Sequence, residues 1–469
     1  EKDGLAGNVV KTLYQGKDGR VWIGTNNGLT SFQHGRFVTY TVRDGLSHHS
    51  IEAITEDRSG RLWVGTQNGL NQLQSTKFIS FTTAQGLPNN RINLIHEDRV
   101  GNLWIGTASG LARFQENGFV SHSNQDSLSN NPILSLYEDR EGSLWIGTEA
   151  NGLNILKSKK FTTFTTRDGL SANVVRAIYE DQSSNLWIGT QDGGLSRLKD
   201  GQWVRYTNKE GLASNDVLAV CDDRQGNLWI GTAEGLNRLR QGVVTKYGVR
   251  DGLTDNYVRS LYVDRLGSLW IGTRRGLVQY KNGRFTTYTM LDGLASDLVG
   301  AITEGRDGSL WIGTLGGLSR FKDGEFTNYT VKEGLSSDVV IALYEDADGM
   351  LWIGTRGGGL SRFKDGKFAS YTIKDGLSDD VIYHILEDAQ GDLWMSSNKG
   401  IIRVSKKELE SYLPTGKKAM NVVTYGTADG METQECSGGG HPAGWKTRDG
   451  KLWFATIKGV AMIDPAHIN

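Results

Sequence analysis

Cysteine and proline are scarce in this chain of 469 residues: two of the first, Cys221 and Cys436, and five of the second. Two thiols cannot build the disulfide framework on which small secreted domains rely, and they suit a reducing or an oxidising compartment equally. Cys221 stands where other copies of a repeat described below carry Tyr or Thr, and reads as a small core residue. Few prolines beside 62 glycines fit many tight turns between short strands rather than disorder. No apolar run approaches the roughly 18–20 residues of a membrane helix, so this segment is not expected to insert directly into a bilayer. Neither sign of charge is in excess: 52 basic against 53 acidic residues, net −1, without a block of like charge. Nothing in that balance points to a polybasic surface for nucleic acid or anionic membrane. An initiator methionine and a signal peptide are also missing, and the chain opens on "EKDGL", a phrase that returns as "KDGL" at Lys374. We therefore expect a segment of a longer protein, with any targeting signal or anchor outside it.

What the chain has instead is repetition. "LWIGT" occurs verbatim at Leu103, Leu144, Leu186, Leu228, Leu269, Leu310 and Leu351. Looser copies stand at Val21, Leu62, Leu393 and Leu452, making eleven repeats. The ten tryptophans of this phrase from Trp22 to Trp394 are spaced 41 or 42 residues apart, and that of the last copy, Trp453, follows after 59. A period near 40 with several strand signals per repeat predicts propeller blades. In the ninth copy the strands are expected at Val339–Tyr344 (A), Leu351–Thr355 (B), Leu360–Phe363 (C) and Lys367–Thr372 (D), each short, β-branched or aromatic, and bounded by Gly, Asp or Asn. The C–D turns, "KDG" at Lys199, Lys322 and Lys364 and "KNG" at Lys281, hold the residues a two-residue primed hairpin requires. Strand B is apolar on both faces because a blade packs on a neighbour at each side. Its glycine then lets the next blade approach closely, and its Trp packs between blades.

Propellers usually have four to eight blades, so eleven repeats fit a single ring poorly. The last repeat supplies strands A to C ("GWKTRDG", "KLWFATI", "GVAMIDP") but no D. The segment "FTTFTT" at Phe161–Thr166 is a D strand in the right place to pair with Val460–Ile463. We therefore expect an all-β fold with residues 161–469 as a seven-bladed propeller closed by strand 161–166. Residues 1–160 would be four blades of a first ring, and the alternative is one eleven-bladed ring. Residues Val404–Lys418 read as an insertion holding a short helix.

Repeats permit an internal comparison: positions constant among copies serve the scaffold, and positions that vary can serve a ligand. The B–C and D-to-A loops share one face and vary, for example "QDG" at Gln191, "RR" at Arg274 and "RGG" at Arg356. In strand A the constant Val or Ile (Val175, Val217, Val258, Val299, Val340, Ile382) is core, while its two neighbours change. These include Arg176, Tyr257, Arg259 and Tyr383. Tyr257 with Arg259 is the most ligand-like pair, a flat amphipathic ring beside a planar donor fork suited to an anionic or hydroxylated molecule. The candidate ligand-binding set is Arg176, Tyr257, Arg259, Arg274, Arg275, Arg356, Tyr383 and His384. The last replaces the small residue found at Ala177, Ala219, Ser260, Ala301 and Ala342, and reads either as a channel-facing contact or as packing beside an irregular blade. His48-His49 reads as a solvated loop, and no metal site or cofactor is expected.

These repeats, and the run "YGTADGMETQECSGGGHPAGWKTRDGKLWFATIKGVAMIDP" (Tyr425–Pro465), resemble the two-component regulator propeller repeat family over essentially the whole chain. That resemblance implies the periplasmic or extracellular sensor region of a membrane-spanning histidine kinase, hybrid kinase or diguanylate cyclase. It also implies a small extracellular ligand, with oligosaccharides among the candidates, and a homodimer formed through the full-length protein. The blades look like those of streptogramin lyases too, which use His and Glu with a metal. The proposed second ring holds only His384, His441 and His467, with no recurring His/Glu cluster and no nucleophile–base motif, so an enzyme is not expected. A protein-docking platform is the remaining alternative.

Overall fold

The computed structural model describes residues 4–115, 118–122, 128, 130–139, 142–156, 160–412 and 420–468. They form eleven antiparallel sheets, ten of four strands and one of three. The chain divides into two compact units, residues 1–158 and 159–468.

Strand B explains the repeated phrase. In Leu351–Thr355 every side chain is buried, Trp352 completely. The glycine is dictated by its neighbour: a Cβ on Gly189, Gly231 or Gly313 would lie 2.6–2.7 Å from Cγ1 of Val217, Val258 or Val340, the core residue of the next sheet's strand A. The terminal Thr355 hydroxyl donates to the Gly359 carbonyl at 2.9 Å and closes the B–C turn. The C–D turns take the predicted left-handed backbone, with Asp365 at φ 50° and Gly366 at 76°. "KDGL" is also explained. Thr372 and Asp375 form a capping box around a one-turn 3-10 helix, Gly376 leaves it at φ 114°, and Leu377 is buried.

The turn between strands A and B holds an arrangement that sequence reasoning missed. Asp346 accepts the backbone amides of Asp348 and Met350 on one oxygen and the Trp352 indole N–H on the other, at 2.9 Å. The same bond joins Asp57 to Trp63, Asp98 to Trp104, Asp181 to Trp187, Asp264 to Trp270 and Asp388 to Trp394. Hydrogen bonds from Trp352, from these amides and from Lys406 hold the Asp346 carboxyl below the ordinary carboxylate range, against burial, which acts the other way. Its contribution to stability is therefore complete above the unfolded-state value and is lost as pH falls through the lowered folded-state one. Asp346→Ala leaves a buried indole N–H without an acceptor and should cost about 1–3 kcal/mol in urea denaturation at neutral pH, with the gap to wild type closing in acid. A constant gap down to acid pH would contradict the account.

In the first unit, the sheets over Val10–Tyr40, Ile51–Phe81 and Ile92–Ser121 have four strands, and the one over Ile133–Leu156 has three. Val10 and Leu13 in its first sheet, and Leu134, Tyr137 and Leu153 in its last, are exposed.

In the second unit, the A strands are Val175–Glu180, Val217–Asp222, Val258–Val263, Val299–Glu304, Val340–Glu345, His384–Glu387 and Gly444–Lys446. Each packs on the next, and the last packs on the first, so the seven sheets touch in cyclic order. Phe161–Phe164 is the fourth strand of the last sheet, pairing antiparallel with Gly459–Ile463 in the register Phe161↔Ile463 to Phe164↔Val460. The insertion after Val404 contains a helix over Lys406–Ser411, and residues 413–418 of that expectation lie outside the described residues. Lys406 leaves the helix start to reach Glu387 at 2.6 Å and Asp346 at 3.3 Å, tying the helix to the neighbouring blade. No helix among the described residues is long and apolar enough to cross a membrane.

Candidate functional site

Strand A does not alternate simply. Where it enters the second unit's core, the pairing register slips immediately after the constant valine, between Val175 and Ala177, Val217 and Ala219, and Val258 and Ser260. The skipped residues, Arg176, Leu218 and Arg259, therefore sit on β-bulges, which re-aim a side chain out of the ladder. Tyr383 holds the equivalent place before the sixth A strand, its amide donating to the Ser396 carbonyl at 2.9 Å.

These bulges surround a segment that makes no repeat. Residues Ser437–Pro442, "SGGGHP", thread the space that the A strands enclose. The His441 amide donates to the Leu218 carbonyl at 3.0 Å, the Ile178 amide to the Pro442 carbonyl at 2.8 Å, and the Ser437 amide to the Ala455 carbonyl at 2.9 Å. His441 also forms a parallel bridge with Ser260. Only glycine fits the crossing: a Cβ on Gly440 would lie 2.1 Å from the Leu218 carbonyl oxygen, and one on Gly438 would overlap the Tyr383 ring. The three consecutive glycines before His-Pro were the available signal for this plug.

Above the plug the structure gathers most of the predicted site. The half-buried Arg259 donates to the Gly438 carbonyl at 3.5 Å. Burial lowers the pKa of its guanidinium, and the positive charges of Arg356, Arg176 and Arg274 lower it further against the opposing effect of Tyr257. The group nevertheless stays protonated, as arginine does in proteins. Arg274 lies over the Tyr257 ring at 3.5 Å from its centroid. Arg176 donates to the Gln191 side-chain carbonyl at 2.5 Å, and the Tyr383 hydroxyl to that of Asn398 at 2.7 Å. Asp216 faces Arg176, but burial raises its pKa despite that cation, and one of its oxygens has no partner. Four guanidinium groups thus share a face that also holds the carboxylates of Asp192, Asp216 and Asp379, a setting for a multiply hydroxylated or anionic molecule.

Two predicted residues lie apart. Arg275 is exposed and pairs with Asp255 at 3.6 Å. His384 is buried below the plug, its ring 6.0 Å from that of His441. Elsewhere, His48 stacks on His49 at 4.0 Å. Among the described residues no group of three His, Cys, Asp or Glu side chains could hold a metal ion.

The sheets and their cyclic contacts define a β-propeller repeat protein. Ten stretches, 4–27, 45–68, 86–109, 127–150, 169–192, 211–234, 252–275, 293–316, 334–357 and 376–399, match the two component regulator propeller repeat and together span more than half the chain, which belongs to that family. The extracellular domain assigned to the hybrid two component system BT3049 of B. thetaiotaomicron is similar in structure, with TM-score 0.57, 26% identity, and coverage of 98% of this chain and 69% of that one. A streptogramin B lyase (TM-score 0.52, 15% identity, 64% of this chain and 96% of that one) and virginiamycin B lyase from Staphylococcus aureus (0.51, 17%, 65% and 99%) share the fold alone. No curated protein sequence matches this chain.

Proposed function

We propose that this chain is the ligand-sensing region of a transmembrane signalling protein, lying outside the cytoplasm, and that it binds a small extracellular saccharide or other hydroxylated or anionic molecule without catalysis. The observation that carries the reading is the convergence of Arg176, Arg259, Arg274 and Arg356 with Tyr257 and Tyr383 on the variable face. Residues 161–469 act as one seven-bladed ring, a partition supported by the closing pair of Phe161–Phe164 with Gly459–Ile463. Residues 1–160 are blades of another ring, in keeping with the exposed apolar side chains on the first and last sheets of that unit. Family membership and the likeness to an extracellular two-component domain support the location and the sensing role. Pairing of two copies through the full-length protein belongs to the same proposal.

Thermal-shift screening of the chain against neutral, carboxylated and sulfated glycan fragments tests it, because a ligand that binds only the native state raises the melting temperature. Arg259→Ala and Tyr257→Ala should each weaken a hit about tenfold or more, the loss of roughly one charge-assisted contact. A screen without hits, joined to capture of a defined protein partner on the same face, would replace this reading with a docking platform.

A further inference from the structure

The opposite end of the enclosed space, below the plug, is a cavity of about 400 Å³. That lies within the range of small-molecule pockets. Its wall includes, from each of the seven sheets, the strand A residue that pairs with the strand B tryptophan. Tyr179, Tyr262, Tyr344 and Trp445 face Trp187, Trp270, Trp352 and Trp453, and the smaller Cys221, Thr303 and Leu386 face Trp229, Trp311 and Trp394. Three positions of this ring are not aromatic. The cavity reaches solvent at the exposed Arg224 and Lys446.

Its inner end is formed by His384, His441 and Pro442. Both imidazoles are more than nine-tenths buried, and each has an Nδ1 without a hydrogen-bond partner. Burial, reinforced by His441, pushes the His384 pKa down to about 3, against a hydrogen bond to the Gly444 backbone. Burial and the Arg259 charge push that of His441 down to about 4. Both rings are therefore neutral at physiological pH, and both line the cavity. The tyrosine hydroxyls cannot serve instead, because Asp222, Glu304 and Glu387 of the following sheets engage them. Cys221 is held as the thiol by burial. The inner end thus offers aromatic surface and two neutral imidazole rings, while the lining charges, Asp222, Arg224 and Lys446, stand at the outer end, Asp222 and Lys446 each one residue beyond the ring position of its strand.

We propose that this cavity is a second binding site, separate from the arginine face and independent of the ligand there, for an uncharged single-ring molecule bearing hydroxyls. A pyranose and a phenol share that chemistry: a ring face for the aromatic wall and O–H groups for the imidazoles.

The repeats supply variants that the fold already accommodates. Thr303→Tyr and Cys221→Tyr place in the cavity the residue that the equivalent positions Tyr179, Tyr262 and Tyr344 carry, and His384→Ala restores the alanine of Ala177, Ala219, Ala301 and Ala342. Saturation-transfer NMR on the full chain would use D-glucose, D-galactose and D-xylose in one arm and phenol and 4-nitrophenol, below its ionisation, in the other. Binding in either arm is expected, identifies the source of the hydroxylated ring, and should weaken at least tenfold in Thr303→Tyr and in His384→Ala. If no probe binds in either arm, or if Thr303→Tyr, shown folded by its melting curve, binds as wild type does, the proposal is overturned. Loss of binding at the arginine face through Arg259→Ala is a different result, because Thr303 does not reach that face.

Discussion

A chain starting at residue 165 is expected to fail to form the second unit, whereas one starting at residue 160 is expected to fold. Only five residues separate them, but these include the strand that completes the last sheet. Phe161 is 2% exposed and packs with Tyr425, Leu452 and Phe454; Phe164 stacks on Trp453 at 5.4 Å between centroids. The Lys160 amide donates to the Asp429 carbonyl at 2.8 Å, and the Thr163 hydroxyl to that of Gly430 at 3.3 Å. Removing the strand leaves Gly459–Ile463 as an open edge and bares the apolar side chains beneath. The single substitution Phe161→Ala should cost about 3–5 kcal/mol through lost transfer and a residual cavity. Calorimetry would show this as a melting point lowered by roughly 5–8 °C. Equal melting of the chains starting at 160 and 165 would mean that the pairing with Gly459–Ile463 does not hold the unit together.

Why some of this was legible beforehand, and some not, follows from what repetition reveals. Trp22 to Trp394 disclose the period, Asp365-Gly366 and its counterparts the hairpin turns, and the missing D strand after Ile463 directs attention to Phe161. Each is a local rule applied many times, so noise averages out. The register slip after Val258 is not visible in a string of letters. A bulge adds one residue to one strand, and both readings keep Val258 in the core. The Asp346–Trp352 bond is visible in principle as an Asp six residues before most tryptophans, but that spacing alone does not say that the indole N–H reaches the carboxylate. His384 is a large side chain where its equivalents are small, and it lies apart from the arginines. It was grouped with the arginines because strand position alone does not say on which side of the plug a residue lies. The plug itself occurs once, and internal comparison is silent about anything that occurs once.

Substitution of alanine for each plug glycine should give a graded result. Gly440→Ala should be the most damaging, because its Cβ would lie 2.1 Å from the Leu218 carbonyl oxygen and 2.8 Å from that of Arg176. Both are backbone atoms of paired strands and cannot swing aside. Relief requires the plug to lift, giving up the His441–Leu218 and Ile178–Pro442 hydrogen bonds. A cost of about 3 kcal/mol is expected, at the upper end of ordinary overpacking. Gly439→Ala meets the Arg176 guanidinium, the far end of a flexible side chain, and should cost about 1 kcal/mol. It displaces one of the four arginines, however, so its larger effect should be on ligand affinity at that face. Gly440→Ala should instead disturb both ends of the enclosed space, since His441 and Pro442 line the cavity below. Hydrogen exchange of the Ile178 and His441 amides, alongside calorimetry, separates the cases: fast exchange in Gly440→Ala, near-native protection in Gly439→Ala. Matching protection and stability in the two variants would show that the segment does not cross between the strands as described.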